Sequence, residues 1–194
     1  MNTGALAVFA FVTSITPGPN NVMLWASGLN FGFRRTVRHL AGVNLGFVSL
    51  LMAMALGLGV LFREVAWLSP TLRLLGSVYL VYLAYRIATA GKTEGRTTSR
   101  PMSFFEAVAF QYVNPKAWVM GITAAGSFLP TDAGVGRSTA VFGLVFGLVN
   151  LPCIMAWAAA GSTMGRFLES KRARQVINVI LAGLLLLTVY LINV

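Results

Sequence analysis

The stretch Thr16-Pro17-Gly18-Pro19-Asn20-Asn21 interrupts a long apolar segment of this chain at its middle. A second long apolar segment is interrupted in the same way by Asn114-Pro115-Lys116. Backbone deep in lipid must satisfy its own hydrogen bonds, so a break is tolerated only where protein or a water-filled cavity surrounds it. Two such breaks, in corresponding segments of the two halves of a chain, indicate the binding site of a secondary transporter.

The composition predicts an all-α integral membrane protein. Hydrophobic residues make up 57% of the 194 residues and charged residues only 10%, whereas about 25% of a soluble domain is charged. Apolar runs of about 20 residues, the length that a helix needs to cross a bilayer, recur along the whole chain. About six such spans fill the sequence, so we expect no soluble domain.

The predicted spans are Ala5–Phe31, Leu40–Leu61, Val65–Ile87, Phe104–Leu129, Ser138–Gly161 and Val176–Val194. The precision of each boundary is about four residues. No Lys or Arg precedes the first apolar run, so we expect this span to be retained rather than cleaved as a signal peptide.

The basic residues predict the orientation of the chain. Eleven of them lie in or near the first, third and fifth connections, and three in or near the second and fourth. Because Lys and Arg concentrate on the cytoplasmic side of a membrane, both termini are predicted to be periplasmic. The net charge of +10 is therefore explained by topology, and we expect no nucleic-acid partner.

The chain is predicted to be a single membrane domain, residues 1–194, built from two similar halves. The polar residues 91–103 are predicted to be a cytoplasmic linker between a three-helix repeat at 1–90 and another at 104–194. Because each half has an odd number of spans, the second half enters the membrane in the opposite sense. That is the geometry of an inverted repeat, with helices 1 and 4 broken at Pro near the midplane.

The first break offers binding groups of both polarities. Its prolines remove two backbone donors and Gly18 permits a sharp turn, while Thr16 is predicted to cap the helix that resumes. The N-terminus of that helix suits a carboxylate. Freed carbonyls and the side-chain oxygens of Asn20 and Asn21 suit an ammonium group. The alternative is a proline kink that is simply packed against neighbouring helices.

Lys116 lies close to the centre of its predicted span. An ammonium group there costs at least about 2.5–3.5 kcal/mol if it faces lipid, and the interface is too far for the side chain to reach. We therefore expect Lys116 to face a cavity or a partner, which is a substrate carboxylate, Gln111, Asn114 or the freed carbonyls. Asn44 and Asn150 lie in matching Val-Asn-Leu sequences of the second and fifth spans, where they line the cavity or bond between helices.

Several residue types are scarce. The acidic residues all lie in or near connections: Glu64, Glu94, Glu106, Asp132 and Glu169. We therefore predict no intramembrane metal site, no cofactor and no enzyme activity. His39 is the only histidine, and we expect it to be an interfacial residue at the cytoplasmic edge. Cys153 is the only cysteine, which excludes an intrachain disulfide.

Over nearly its full length the chain resembles the LysE/RhtB family of bacterial amino-acid exporters. The motifs that carry the resemblance are Thr16-Pro17-Gly18-Pro19-Asn20-Asn21, Gly32-Phe33-Arg34, Leu40-Ala41-Gly42 with Gly46, and Phe110-Gln111-Tyr112-Val113-Asn114-Pro115-Lys116. The pattern is most similar to the RhtB branch, which exports homoserine, threonine, cysteine or leucine. The resemblance implies efflux across the inner membrane, driven by the proton motive force. It leaves open whether Glu106, Lys116 or no protein group carries the coupling proton.

We therefore predict a transporter that exports small neutral amino acids or their derivatives by alternating access. A homodimer in membrane lipid is plausible for so small a transporter. The alternatives are a metal or organic-cation exporter and a non-transporting scaffold. The predicted substrate-binding residues are Thr16, Pro17, Gly18, Pro19, Asn20, Asn21, Asn44, Gln111, Asn114, Pro115, Lys116 and Asn150.

Overall fold

The structure is a computed structural model that describes residues 1–58, 64–90, 100–129, 135–168 and 170–194. Within these ranges the chain forms helices and no strand: α1 Thr3–Ile15, α2 Pro19–Phe31, α3 Phe33–Ala53, α4 Leu68–Thr89, α5 Phe104–Gln111, α6 Pro115–Phe128, α7 Val135–Phe167 and α8 Lys171–Asn193. A π-helical turn, Met54–Leu58, continues α3 and contains one non-helical residue, Gly57, whose φ is +113°. The all-α prediction is confirmed for these residues.

Both predicted breaks are present. The first separates α1 from α2, and the second separates α5 from α6. The prediction that Thr16 caps the resuming helix is wrong, because Thr16 is the C-cap of α1 and Gly18 is the N-cap of α2. Two prolines in close succession explain the difference, since Pro19 takes the first helical position and leaves Thr16 too far upstream.

The predicted start of the second span, Leu40, is also wrong. Gly32 alone joins α2 to α3, and its φ of +78° is a conformation that favours glycine. The arginines that the sequence analysis placed in a loop therefore lie on the first turns of α3. The predicted end of this span, Leu61, lies outside the described residues.

The fifth and sixth spans extend beyond the apolar runs that predicted them. α7 runs from Val135 to Phe167 rather than Ser138–Gly161, and α8 begins at Lys171 rather than Val176. An apolar run marks only the part of a helix that suits hydrocarbon, whereas the helix itself continues into polar and basic residues.

Within the ranges given above, three helical stretches are long and apolar enough to cross a membrane: Phe33–Leu58, Gly136–Phe167 and Lys171–Asn193. Many large apolar side chains point outward on the described helices, as lipid-facing surfaces require; Phe105 and Leu191 are examples. Most of the predicted linker, residues 91–99, lies outside the described residues.

Close backbone contacts bring the site elements together. Gly28 on α2 faces the carbonyl oxygen of Ala158 on α7, and Gly161 on α7 faces that of Trp25 on α2, with no room for a Cβ atom at either glycine. α3 approaches α5 in the same way at Gly42. These contacts hold α2, which follows the first break, against α7, and α5, which precedes the second break, against α3.

Candidate functional site

Lys116 connects the two breaks. Its Nζ atom donates hydrogen bonds to the carbonyl oxygen of Thr16 at 2.8 Å, to Thr16 Oγ1 at 3.0 Å and to the carbonyl oxygen of Pro17 at 3.2 Å. An ammonium group has three N–H donors, so each of them has an acceptor at the first break. Of the partners expected from the sequence, the freed carbonyls are the ones that the Lys116 ammonium group contacts.

Other side chains satisfy the remaining carbonyls of the first break. Asn21 Nδ2 donates to the carbonyl oxygens of Ser14 at 2.9 Å and Thr16 at 2.8 Å. Trp157 Nε1 donates to the carbonyl oxygen of Ile15 at 3.1 Å. The carbonyl groups of residues 14–17 are therefore all paired, although the chain is not helical at Thr16 and Pro17.

The second break is held by its own neighbours. Asn114 is the N-cap of α6, and its Oδ1 atom accepts a hydrogen bond from the backbone N–H of Lys116 at 3.2 Å. Trp118, which is buried, donates its indole N–H to the carbonyl oxygen of Tyr112 at 3.0 Å. Pro115 is the first residue of α6. These contacts fix the start of α6, from which Lys116 extends to the first break.

Two pairs of amide side chains join elements that are distant in sequence. Asn20 and Gln111 bond reciprocally, with N–O distances of 2.8 and 3.1 Å. Asn150 Nδ2 donates to Asn44 Oδ1 at 2.8 Å. Asn150 also lines a cavity beside the breaks, so both roles that the sequence allowed for this residue are present.

The cavity beside the breaks has a volume of about 30 Å³. Of the predicted binding residues, those that line it are Gly18, Asn20, Asn21, Asn114, Lys116 and Asn150. Thr16, Pro17, Gln111 and Asn44 contact these residues without lining the cavity, and Pro19 and Pro115 begin the two helices that border it.

Thr13 and Ser14, which were not predicted as site residues, also line the cavity. Ser14 Oγ is buried and has no hydrogen-bond partner among the described residues. The signal was present in the sequence, because these hydroxyl side chains interrupt an apolar run about one turn before the break.

The cavity wall combines donors with acceptors. Within the described part of the chain, the backbone N–H groups of Asn20 and Asn21 have no acceptor, as is usual in the first turn of a helix. Together with the Lys116 ammonium they form a positive side that suits a carboxylate. The hydroxyl of Ser14 and the amide oxygens supply acceptors for an ammonium group.

His39 lies outside this site, and the structure shows a feature that was not predicted, namely that the residue is buried within the protein. Its side chain is only 2% exposed, on the face of α3 that also buries Thr36 and Val43. Spacings of three and four residues place these side chains on one helix face. The neighbouring arginines obscured this pattern, because we assigned the whole stretch to a loop.

Comparison with known proteins gives one consistent result. The sequence model of the family described as LysE type translocator matches residues 11–192. The chain is 34% identical over 187 residues to the cysteine/O-acetylserine efflux protein of Escherichia coli O139:H28 (strain E24377A / ETEC), covering 94% of this chain and 92% of that protein. Proteins of the same name from Escherichia coli (strain K12) and Shigella flexneri serotype 5b (strain 8401) are each 34% identical to the chain over 186 residues, which cover 93% of this chain and 92% of each relative. No solved structure matches the chain.

Proposed function

We propose that this chain, which belongs to the LysE type translocator family, is a secondary transporter that exports small neutral amino acids or their derivatives. The family membership confirms the resemblance identified from the two break motifs. It also confirms the prediction that the function is transport rather than enzyme catalysis. The single observation that carries the proposed site is the contact of Lys116 with the first break.

The substrate class is proposed from the relatives and from the cavity. Relatives that are 34% identical are named for the efflux of cysteine and O-acetylserine, both small and without a charged side chain. Among the residues that line the cavity beside the breaks, Lys116 is the one with a charged side chain. A zwitterion needs one cationic partner for its carboxylate and neutral acceptors for its ammonium group, and this lining supplies both.

Substrate binding is proposed to change the partners of Lys116. Its three donors are used by Thr16 and Pro17, so a substrate carboxylate must replace some of these acceptors. The carbonyl oxygens released in this way become available to the substrate ammonium, together with Ser14, Asn21 and Asn150. Binding would therefore loosen the contact between the two breaks, which gives the substrate a direct effect on the conformation of the chain.

Alternating access is proposed to occur by rocking of two inverted halves, residues 1–90 and 104–194, joined by the linker at 91–103. The amide pairs support this arrangement, because both join one half to the other.

The termini are proposed to be periplasmic in a bacterial inner membrane. Thr16 and Pro17 are exposed on the chain, and non-helical backbone is not tolerated against lipid. Cover by a second copy in a homodimer would meet this requirement.

Coupling to the proton motive force is proposed to use Lys116 or no protein group. The third candidate, Glu106, has a structural role at the start of α5. Its carboxylate accepts two hydrogen bonds from Arg100, both at 2.8 Å, and one from the backbone N–H of Ser103 at 2.7 Å. A carboxylate held by three donors in a capping box is poorly placed to exchange a proton during transport.

The test is a comparative efflux screen. Cells that express the chain are preloaded with each common amino acid and with O-acetylserine, and export is compared with that of cells carrying an empty vector. We expect faster export of small neutral substrates and a loss of the effect when a protonophore collapses the proton gradient. Protection against metals or organic cations without amino-acid efflux would favour the alternative cargo, and no export of any solute would favour a scaffold.

Gly18→Ala should weaken export without unfolding the protein. An added Cβ would lie 2.7 Å from Cδ and 3.1 Å from Nζ of Lys116, so this flexible side chain must move away from the first break. We expect a loss of roughly tenfold in efflux, which corresponds to about 1.4 kcal/mol. Gly126→Ala on α6 is the control, because a Cβ there meets nothing within 4 Å. Equal efflux by the two variants would contradict the proposed role of the Lys116 contact.

A further inference from the structure

A second cavity lies at the end of the molecule where the basic residues concentrate. It is lined by residues of α2, α3 and α4, by Ala90 and by residues 100–102, and its volume is about 70 Å³. One buried water needs about 10–15 Å³, so this cavity holds several waters or the polar part of a small solute. None of the residues that line it lines the cavity beside the breaks.

His39 lines this second cavity and has unused hydrogen-bonding groups. Its side chain is buried, yet neither Nδ1 nor Nε2 has a partner among the described residues. A buried polar group without a partner costs about 1–3 kcal/mol. Asn30 in the same wall is different, because it bonds reciprocally with Asn178 at 2.8 and 3.0 Å. No described residue supplies the missing partner of His39, and a solute bound in the cavity would supply it.

Arg86 gives the cavity a positive charge. One guanidinium nitrogen, Nη2, donates to the carbonyl oxygen of Arg100 at 3.1 Å, and no carboxylate in the described part of the chain forms an ion pair with it. Arg100, which also lines the cavity, differs because Glu106 pairs with it through two bonds of 2.8 Å. A guanidinium with free donors is well suited to a carboxylate, which it can bind with two parallel hydrogen bonds.

Ser27 supplies a further acceptor. Its hydroxyl lies 2.9 Å from Thr36 Oγ1, and Thr36 itself donates to the carbonyl oxygen of Gly32 at 2.9 Å. The proton between the two hydroxyls therefore belongs to Ser27, whose oxygen lone pairs remain available on the cavity wall. A neutral imidazole likewise offers one acceptor nitrogen.

We infer that this cavity is an entry site for the exported amino acid, in which Arg86 binds the carboxylate and His39 with Ser27 binds the ammonium group. The inference rests on the proposed function, because the solute is taken to be the transported substrate. It adds a second binding step at the basic end, which the positive-inside rule assigns to the cytoplasm. A substrate captured there is close to α2, whose opposite end borders the cavity beside the breaks.

The only histidine of the chain makes a direct test possible. The full-length protein, purified without a polyhistidine tag and labelled with 15N-histidine, gives imidazole NMR signals from His39 alone. We titrate it with O-acetyl-L-serine, with L-serine and, as a probe that lacks the carboxylate, with ethanolamine. We expect a saturable change in the His39 signals with the two amino acids and none with ethanolamine.

Two variants on α4 separate the entry site from general effects of charge. Arg86→Gln should lower the affinity obtained from the saturable change at least tenfold. Arg73→Gln, at an exposed position of the same helix, should leave that affinity unaltered. Arg86→Gln should also raise the internal concentration needed for half-maximal efflux without lowering the maximal rate. The absence of a saturable change, or an equal change in Arg86→Gln, would overturn the inference.

Lys116→Met separates this inference from the proposed function. We expect the variant to keep the saturable change at His39, because Lys116 does not line this cavity. Loss of the change in this variant would mean that the signal reports the cavity beside the breaks, and the entry site would be rejected. A saturable change that depends on Arg86, in a protein that exports no amino acid, would support the binding site and reject the transport function.

Discussion

Replacing Lys116 by Met should abolish amino-acid efflux while leaving the protein inserted in the membrane. The substitution removes the ammonium group that contacts Thr16 and Pro17 and that we propose as the partner of the substrate carboxylate. A hydrogen bond to a charged group contributes about 1.5–3 kcal/mol, which corresponds to roughly 10–100-fold in affinity. Insertion should be unaffected, because Met is apolar and Asn21 still donates to the carbonyl oxygen of Thr16.

The measurement is efflux from preloaded cells, normalised to the amount of protein in the membrane. Lys116→Arg keeps the positive charge but not the compact ammonium geometry, so we expect partial activity. Arg73→Met removes a cation from an exposed part of α4 and should export normally. Undiminished efflux by Lys116→Met at normal membrane levels would exclude this lysine from the binding site.

Features that depend on neighbouring residues were predictable from the sequence. Each break follows from its proline residues, because Pro lacks an N–H group wherever it occurs in a helix. The position of Lys116 at a break was equally clear, since an ammonium group in the middle of an apolar run requires a polar partner. The identity of that partner could not be predicted, because 100 residues separate Lys116 from Thr16 and only the packing of α6 against α1 brings them together.

Features that depend on packing or on helix ends were missed. The bond between Asn20 and Gln111 joins residues 91 positions apart, and no local pattern specifies such a pairing. The start of α3 was misplaced because a basic stretch resembles a loop when only hydropathy is considered. Because α3 begins at Phe33, His39 lies on its buried face. The error in this one helix boundary therefore concealed both the burial of His39 and the cavity that it lines.

Gly28→Ala should destabilise the protein, and Gly183→Ala should stabilise it, although each adds one methyl group inside a helix. At Gly28 the new Cβ would overlap the carbonyl oxygen of Ala158 and would lie 2.9 Å from the backbone nitrogen of Ser162. Both atoms belong to the backbone of α7, so α2 and α7 must move apart. Such overpacking costs about 1–3 kcal/mol. A Cβ at Gly183 meets nothing within 4 Å, so the better helix propensity of Ala contributes about 0.5–1 kcal/mol.

Thermal unfolding of the purified variants in detergent measures both effects. We expect a lower midpoint temperature for Gly28→Ala, a higher one for Gly183→Ala, and a second decrease for Gly161→Ala, whose Cβ would overlap the carbonyl oxygen of Trp25 on α2. The two destabilising changes act on one contact from opposite sides, so their combined effect should be smaller than the sum of the single effects. Because α2 and α7 belong to different proposed halves, the same variants should also impair transport by holding the halves apart. A midpoint for Gly28→Ala equal to that of the unsubstituted protein would show that α2 and α7 do not pack through their backbones.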